Sequence, residues 1–421
     1  MFSVMNSRLD NGLKIMLRRV ENQRTVSCGI WVNQGVKDED NNNNGISHLV
    51  EHLLFKINSK ESNVTVSEKV SELRNIGARY NATTSKDCTF FYIDGLSRDL
   101  NMLLDALYHI VCNKSSVSNE VLENEKEIVI REAEGYLNSS RQIGEKVGQA
   151  LWGDLSYGQI VIGKPNIIRS IDNKMIDDLI SAKYVPENCV LVVVGGFEYD
   201  DVLKQINKIY SKWQDKLISF KDFIVDNNPG IMVEDRFGGD RSTLGIGFKT
   251  FPNNDSKSRY ADILKDVLVR PGSALFENIR EKRGLVYALN GFASSFSLAG
   301  NMGIAFSANN SDIKEIVEIC MDEFRNIKKN GVDNNILQSI KKIRETELLY
   351  SIESTSNQLS YIGKNAIRGN LFILEDELRE MQKINKEKMD EVVNDIFDNE
   401  NMGIAVLGKV EVDKFINSIE I

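Results

Sequence analysis

The strongest constraint on this chain is that it repeats. Thr25–Val32 (TVSCGIWV) is alternating and β-branched, as a strand requires, and Ser242–Lys249 (STLGIGFK) has the same character about halfway along. Gly77–Leu96 reads as two strands joined by a polar turn, and Gly284–Ala308 reads the same way. An apolar-periodic helix follows each hairpin, at Asp99–Val111 and Asp312–Phe324. A longer charged helix comes next, Ser118–Leu137 and Val332–Tyr350. Each half then closes on a strand, a glycine turn and a helix, at Asn188–Ile206 and Asn401–Ile416. With 421 residues the chain exceeds one typical core. The expected fold is therefore α+β, with two similar domains from an internal duplication, each an antiparallel-rich sheet packed with helices. The expected boundaries are 1–213 and 231–421, joined by a polar linker at 214–230 that ends on Asn228, Pro229 and Gly230.

Composition narrows the function classes. A net charge of −9 argues against broad nucleic-acid binding and suits cationic ligands or peptides. The five cysteines lie far apart, form no CxxC pair and are odd in number. They read as reduced, buried thiols in a cytosol-like compartment. The N-terminus lacks a secretory pattern, and no apolar run approaches the ~20 residues needed to span a bilayer. A cytoplasmic protein with no membrane partner is expected.

The chemistry concentrates in NNNNGISHLVEHLLFK, Asn41–Lys56. It holds His48 and His52, two of only three histidines, with Glu51 between them. The asparagine run is loop-like, and Ser47 is a candidate cap for the helix that follows. Positions 48, 51 and 52 share one helical face, so both imidazoles can point at one ion while Glu51 takes a proton from its water. The competing reading is a polar surface stripe. Against it, the second half has no histidine, so the role occurs once in a repeated chain. A catalytic zinc site needs a third protein ligand. The helix ENEKEIVIREAEGY supplies Glu125 and Glu132, seven apart, with Glu127 and Glu134 as further candidates. His109, in an apolar-periodic helix, reads as a core histidine.

WVNQGVKDEDNNNNGISHLVEHLLFK resembles the active-site entry of the pitrilysin/insulinase family of inverted-motif (HxxEH) zinc peptidases, in particular its mitochondrial-processing-peptidase-like branch. The resemblance spans essentially the whole chain and implies a clamshell of two related domains. It implies His48, His52 and Glu132 as ligands of one Zn2+ per chain, Glu51 as general base, and Glu125 as a supporting residue behind the ligands. The spacing from His52 to Glu132 exceeds the family's usual gap, with Lys56–Lys69 as the place of insertion. It further implies that Asn81, Ala82 and Thr83 lie on a substrate-binding edge strand. Arg280 and Tyr287 match a pair that reaches substrate and the developing oxyanion. The implied function is a zinc-dependent endopeptidase cleaving short or unfolded peptides. The alternatives are a non-catalytic binding or scaffold homologue, or a dedicated leader-peptide processing enzyme. With both residue sets on one chain, a homodimer or monomer suffices, and a heterodimer with a related subunit is the other arrangement.

Overall fold

A computed structural model describes residues 2–58, 60, 64–112, 114–213, 229–235, 239–410 and 419–420. The first half begins with β1 (Met5–Arg8), β2 (Lys14–Arg19), β3 (Thr25–Val32), α1 (Ile46–Leu54) and α2 (Val66–Asn75). It continues through β4 (Arg79–Thr84), β5 (Thr89–Leu96), α3 (Leu100–Val111), α4 (Asn119–Leu137) and α5 (Ile143–Trp152). It ends with α6 (Pro165–Ser170), α7 (Asn173–Lys183), β6 (Cys189–Gly195) and α8 (Tyr199–Tyr210). The second half opens with β7 (Ile231–Glu234), β8 (Arg241–Thr250), α9 (Lys257–Val269), a π-helical turn (Phe276–Glu281), β9 (Leu289–Ser295) and β10 (Gly300–Asn309). There follow α10 (Ile313–Asn330), α11 (Asn334–Ser351), α12 (Thr355–Ile367), α13 (Leu374–Lys383), α14 (Lys386–Ile396) and β11 (Met402–Leu407).

The duplication is visible in the sheets. The first runs β1-β2-β6-β3-β5-β4 and the second β7-β11-β8-β10-β9, the same order without the first strand. Both are antiparallel-rich, with one parallel pair each, β2 with β6 and β11 with β7. The α+β class and the two-domain duplication expected above are what the chain adopts. The helical part of Asn401–Ile416 falls largely outside the described residues.

β6 explains the architecture. Every residue of CVLVVVG is buried, a continuous apolar run in place of alternation, because both faces of the sheet are covered. On one face Cys28, Ile30, Phe91 and Ile93 join the core built with α1 and α3. On the other, Trp31, Val190 and Val192 pack with Leu359, Ile362 and Ala366 of α12. That second cover comes from the C-terminal half. The second sheet is covered reciprocally by α5, a helix of the N-terminal half, which reaches β8 and β11. Two compact units result. One takes the described residues through Ala133, the segment from Val161 through α8, and Glu347–Leu378; the other takes Glu134–Ile160 with the remainder of the second half. The units thus trade one segment each and do not follow a single cut. Residues 214–228, most of the expected linker, lie outside the described residues.

Glycines permit the close approach of these covering helices. A Cβ on Gly363 of α12 would collide with the Trp31 indole, and one on Gly245 would lie 2.5 Å from Val147 of α5. Gly363→Ala should therefore destabilise the fold. The gain of about 1 kcal/mol in helix propensity is outweighed by about 1–3 kcal/mol of overpacking against a buried ring. A lower urea midpoint is expected, and an unchanged or raised one would contradict this packing account.

Candidate metal centre

α1 divides its surface by polarity. Ile46, Leu49, Val50, Leu53 and Leu54 enter the core, leaving His48, Glu51 and His52 half-buried on the other side. Ser47 does not cap the helix. The cap position is Gly45, in a left-handed conformation (φ 96°), where a Cβ would meet Gly163 Cα at 2.8 Å. Ser47 lies inside the first turn, and the free amide groups there are met by the buried carboxylate of Glu39. Gly45 N donates to its Oε2 at 2.8 Å, Ser47 N to its Oε1 at 2.9 Å and Asn44 Nδ2 to its Oε2 at 3.0 Å. A carboxylate suits this position because helix N-termini carry partial positive charge.

His48 and His52 come together with Glu132 of α4, with one ligand-capable atom from each within 4.8 Å of the others. His52 Nε2 lies 3.5 Å and His48 Nε2 4.0 Å from Glu132 Oε2. Bond lengths of about 2.0–2.1 Å at tetrahedral angles place ligand atoms roughly 3.3 Å apart, so this donor set fits a zinc ion with little movement. Burial, reinforced by the neighbouring His52, pushes the His48 imidazole down to about 4, so it is neutral and able to ligate at neutral pH. Glu125 sits behind the pair, its Oε2 3.6 Å from His52 Nδ1 and its Oε1 3.5 Å from Lys56 Nζ. A carboxylate on that side favours the tautomer that leaves Nε2 free for a metal. Glu127 points to solvent and takes no part in the cluster. His109 stays in α3, buried beside Asp105.

Glu51 faces the edge of the sheet. Thr84 Oγ1, at the end of β4, donates to Glu51 Oε2 at 2.6 Å. Burial raises the Glu51 carboxyl above its ordinary range, opposed chiefly by the Thr84 hydroxyl. Among the described residues β4 pairs with β5 alone. Ser85 N donates to Cys88 O in the turn, and alternation along the ladder then directs the Asn81 and Thr83 backbone groups to β5. The backbone groups of Ala82 and Thr84 therefore face the free edge, where the Thr84 amide donates to the Glu51 carboxylate. The Ala82 amide is covered there by the Asn81 side chain, Ala82 N donating to Asn81 Oδ1 at 2.9 Å. Arg280 and Tyr287 belong to the other compact unit. Arg280, in the π-helical turn, lies over the Phe276 ring at 4.9 Å. Tyr287 is not within a strand; it precedes β9 and is 87% exposed.

Glu39 and Thr84 escape sequence reasoning. Glu39 resembles one more charge in the loop DED, and Thr84 one more polar strand residue. Burial pushes the Glu39 carboxyl up to about 7 despite its donors. The unfolded chain loses this proton near the ordinary value of about 4.5 and the folded chain holds it to about 7. Its stabilising contribution is therefore complete below about 4.5 and is lost as pH rises through about 7. Urea midpoints should fall between about pH 5 and pH 8, and Glu39→Gln should flatten that slope. Equal slopes in both proteins would contradict this role.

Residues 14–163 match the model of the Insulinase (Peptidase family M16) family, and residues 170–344 match that of the Peptidase M16 inactive domain. An uncharacterized zinc protease of Bacillus subtilis is 25% identical over 94% of this chain and 96% of its own length. One from Mycobacterium leprae is 22% identical over 96% and 92% respectively. Among solved structures, a protease from Helicobacter pylori superposes with a TM-score of 0.88 at 19% identity, covering 97% of this chain and 100% of that one. A peptidase M16 inactive domain from Pseudomonas fluorescens gives 0.85 at 17%, covering 97% and 98%. With both family models matched in sequence order, the chain belongs to the insulinase-type M16 peptidase family.

Proposed function

We propose that this protein is a zinc-dependent endopeptidase acting on short or unfolded peptides. The observation that carries the reading is the convergence of His48, His52 and Glu132 beside Glu51, which is itself bonded to an open strand edge. His48, His52 and Glu132 would hold the ion. Bound zinc would supply Lewis-acid polarisation of the scissile carbonyl and acidify a water towards neutrality. Glu51, with its raised pKa, takes the proton of the attacking water and returns it to the leaving amine nitrogen. Thr84 fixes one carboxylate oxygen during this exchange.

An extended peptide laid along β4 displaces the Asn81 side chain and bonds to the outward backbone groups of Ala82 and to the Thr84 carbonyl, the Thr84 amide being held by Glu51. Such pairing reads backbone more than sequence and rejects folded proteins. Arg280 and Tyr287 donate to substrate and to the developing oxyanion, a role supported by the family resemblance and by their exposure. Five free, buried cysteines and the absence, among the described residues, of any helix able to cross a membrane support a cytoplasmic setting. A single chain or homodimer carries every residue required. The processing-peptidase-like branch, with a related subunit and one leader peptide, remains the second reading within the same chemistry. The scaffold reading draws on the inactive-domain match, but that match covers 170–344, whereas the ligands and Glu51 lie within 14–163.

Glu51→Gln should lower kcat on an unstructured peptide by about 10²–10⁴-fold while zinc content by elemental analysis stays unchanged. Undiminished hydrolysis would defeat the assignment.

A further inference from the structure

The opposite face of the same sheet edge carries a feature that the metal centre does not use. Strand register places Val190, Trp31, Phe90 and Thr83 in one row across β6, β3, β5 and β4. Trp31 and Phe90 stack with ring centroids 5.2 Å apart, and Phe90 and Tyr92 stack at 5.6 Å. The row ends abruptly on a short, exposed residue, Thr83. Beside it lies a cavity of about 190 Å³ walled by Trp31, Thr83, Phe90, Tyr92, Asn357 and Leu359, the last two from α12. The volume is enough for one aromatic ring, which would meet the Phe90 and Tyr92 rings on one side and the polar groups of Thr83, Asn357 and Ser360 on the other. The buried Trp31 indole N–H, in the same wall, has no acceptor among the described residues.

Resting on the peptidase reading above, we propose that this cavity is a specificity subsite for an aromatic or large aliphatic side chain of the bound peptide. A strand added along β4 places the residue level with Thr83 on the same face as Thr83, because side chains directly across a ladder share a face. Neighbouring peptide residues point to the face that carries Glu51 and the metal ligands. The threonine is short enough for the incoming side chain to lean over it and extend the Trp31–Phe90 stack. The enzyme therefore reads peptide backbone through β4 and one side chain through α12 and β5. The exposed Asn357 and half-buried Ser360 at the rim are uncharged and select for neither sign of charge, so size and contact with the Phe90 and Tyr92 rings decide.

The test uses unstructured peptides of about ten residues in which a single phenylalanine is moved through a glycine- and serine-rich background. The zinc-loaded chain should show one position at which Phe raises kcat/KM about tenfold over Gly, a size set by one aromatic contact and its burial. Phe90→Ala should bring that ratio towards one. So should Thr83→Phe, an exposed-site change that fills the cavity mouth and does not depend on the tolerance of Phe90 to truncation. Fluorescence anisotropy with Glu51→Gln should show the same Phe-over-Gly preference in affinity. No favoured position, or a preference that survives both variants, overturns the subsite. Cleavage without the preference removes the subsite and leaves the peptidase reading intact. A preference in binding with no cleavage by the native chain removes the peptidase reading and leaves the subsite. Neither binding nor cleavage overturns both.

Discussion

A sheet with apolar side chains on both faces must be covered twice, and the rest of this molecule follows from that requirement. Each half has the helices for one face of its own sheet. The second cover is exchanged, α12 for the first sheet and α5 for the second. Close contact between helix and sheet then demands glycine on one partner, on the helix in one unit (Gly363) and mainly on the strands in the other (Gly245, Gly247, Gly403). Equivalent burial is reached from opposite sides. The exchange also makes each half depend on the other for a complete core.

This buried frame gives α1 its chemical character. The helix is anchored by its apolar stripe, and its N-terminus is fixed by the buried carboxyl group of Glu39. The residues left over are held in a half-buried strip, where desolvation keeps His48 neutral and raises Glu51. Those are the states a metal ligand and a general base require. The same burial that stabilises the domain therefore tunes the site. Thr84 links this strip to the open edge of β4, so the candidate chemistry and the candidate binding surface share one hydrogen bond.

Much of this was legible in the residues. The duplication shows because strand alternation and helix periodicity recur in order, and the second sheet repeats the strand order of the first, without a counterpart of β1 among the described residues. His48, Glu51 and His52 stand out because histidine is scarce here and their spacing is helical. The proposed third ligand is a different case, because the four candidate glutamates of α4 fit the same spacing argument and only the family resemblance or the clustering in the fold separates Glu132 from the rest. The exchange of α5 and α12 was not legible, since a glycine in a helix or strand acquires meaning only when its neighbour is known. Glu39 was hidden for a related reason. Caps are sought at the helix's own first residues, and Ser47 looked suitable, but the donors are met by a carboxylate eight positions earlier. The apolar run of β6 did carry a signal of two-sided burial.

The central claim is that one ion is held by His48, His52 and Glu132. Its most direct test is calorimetric titration of zinc into the metal-stripped full chain, alongside a His48→Ala/His52→Ala variant whose circular dichroism matches the native protein. The account predicts one tight equivalent of zinc per native chain and none in the variant. Equal stoichiometric binding by both proteins would contradict it.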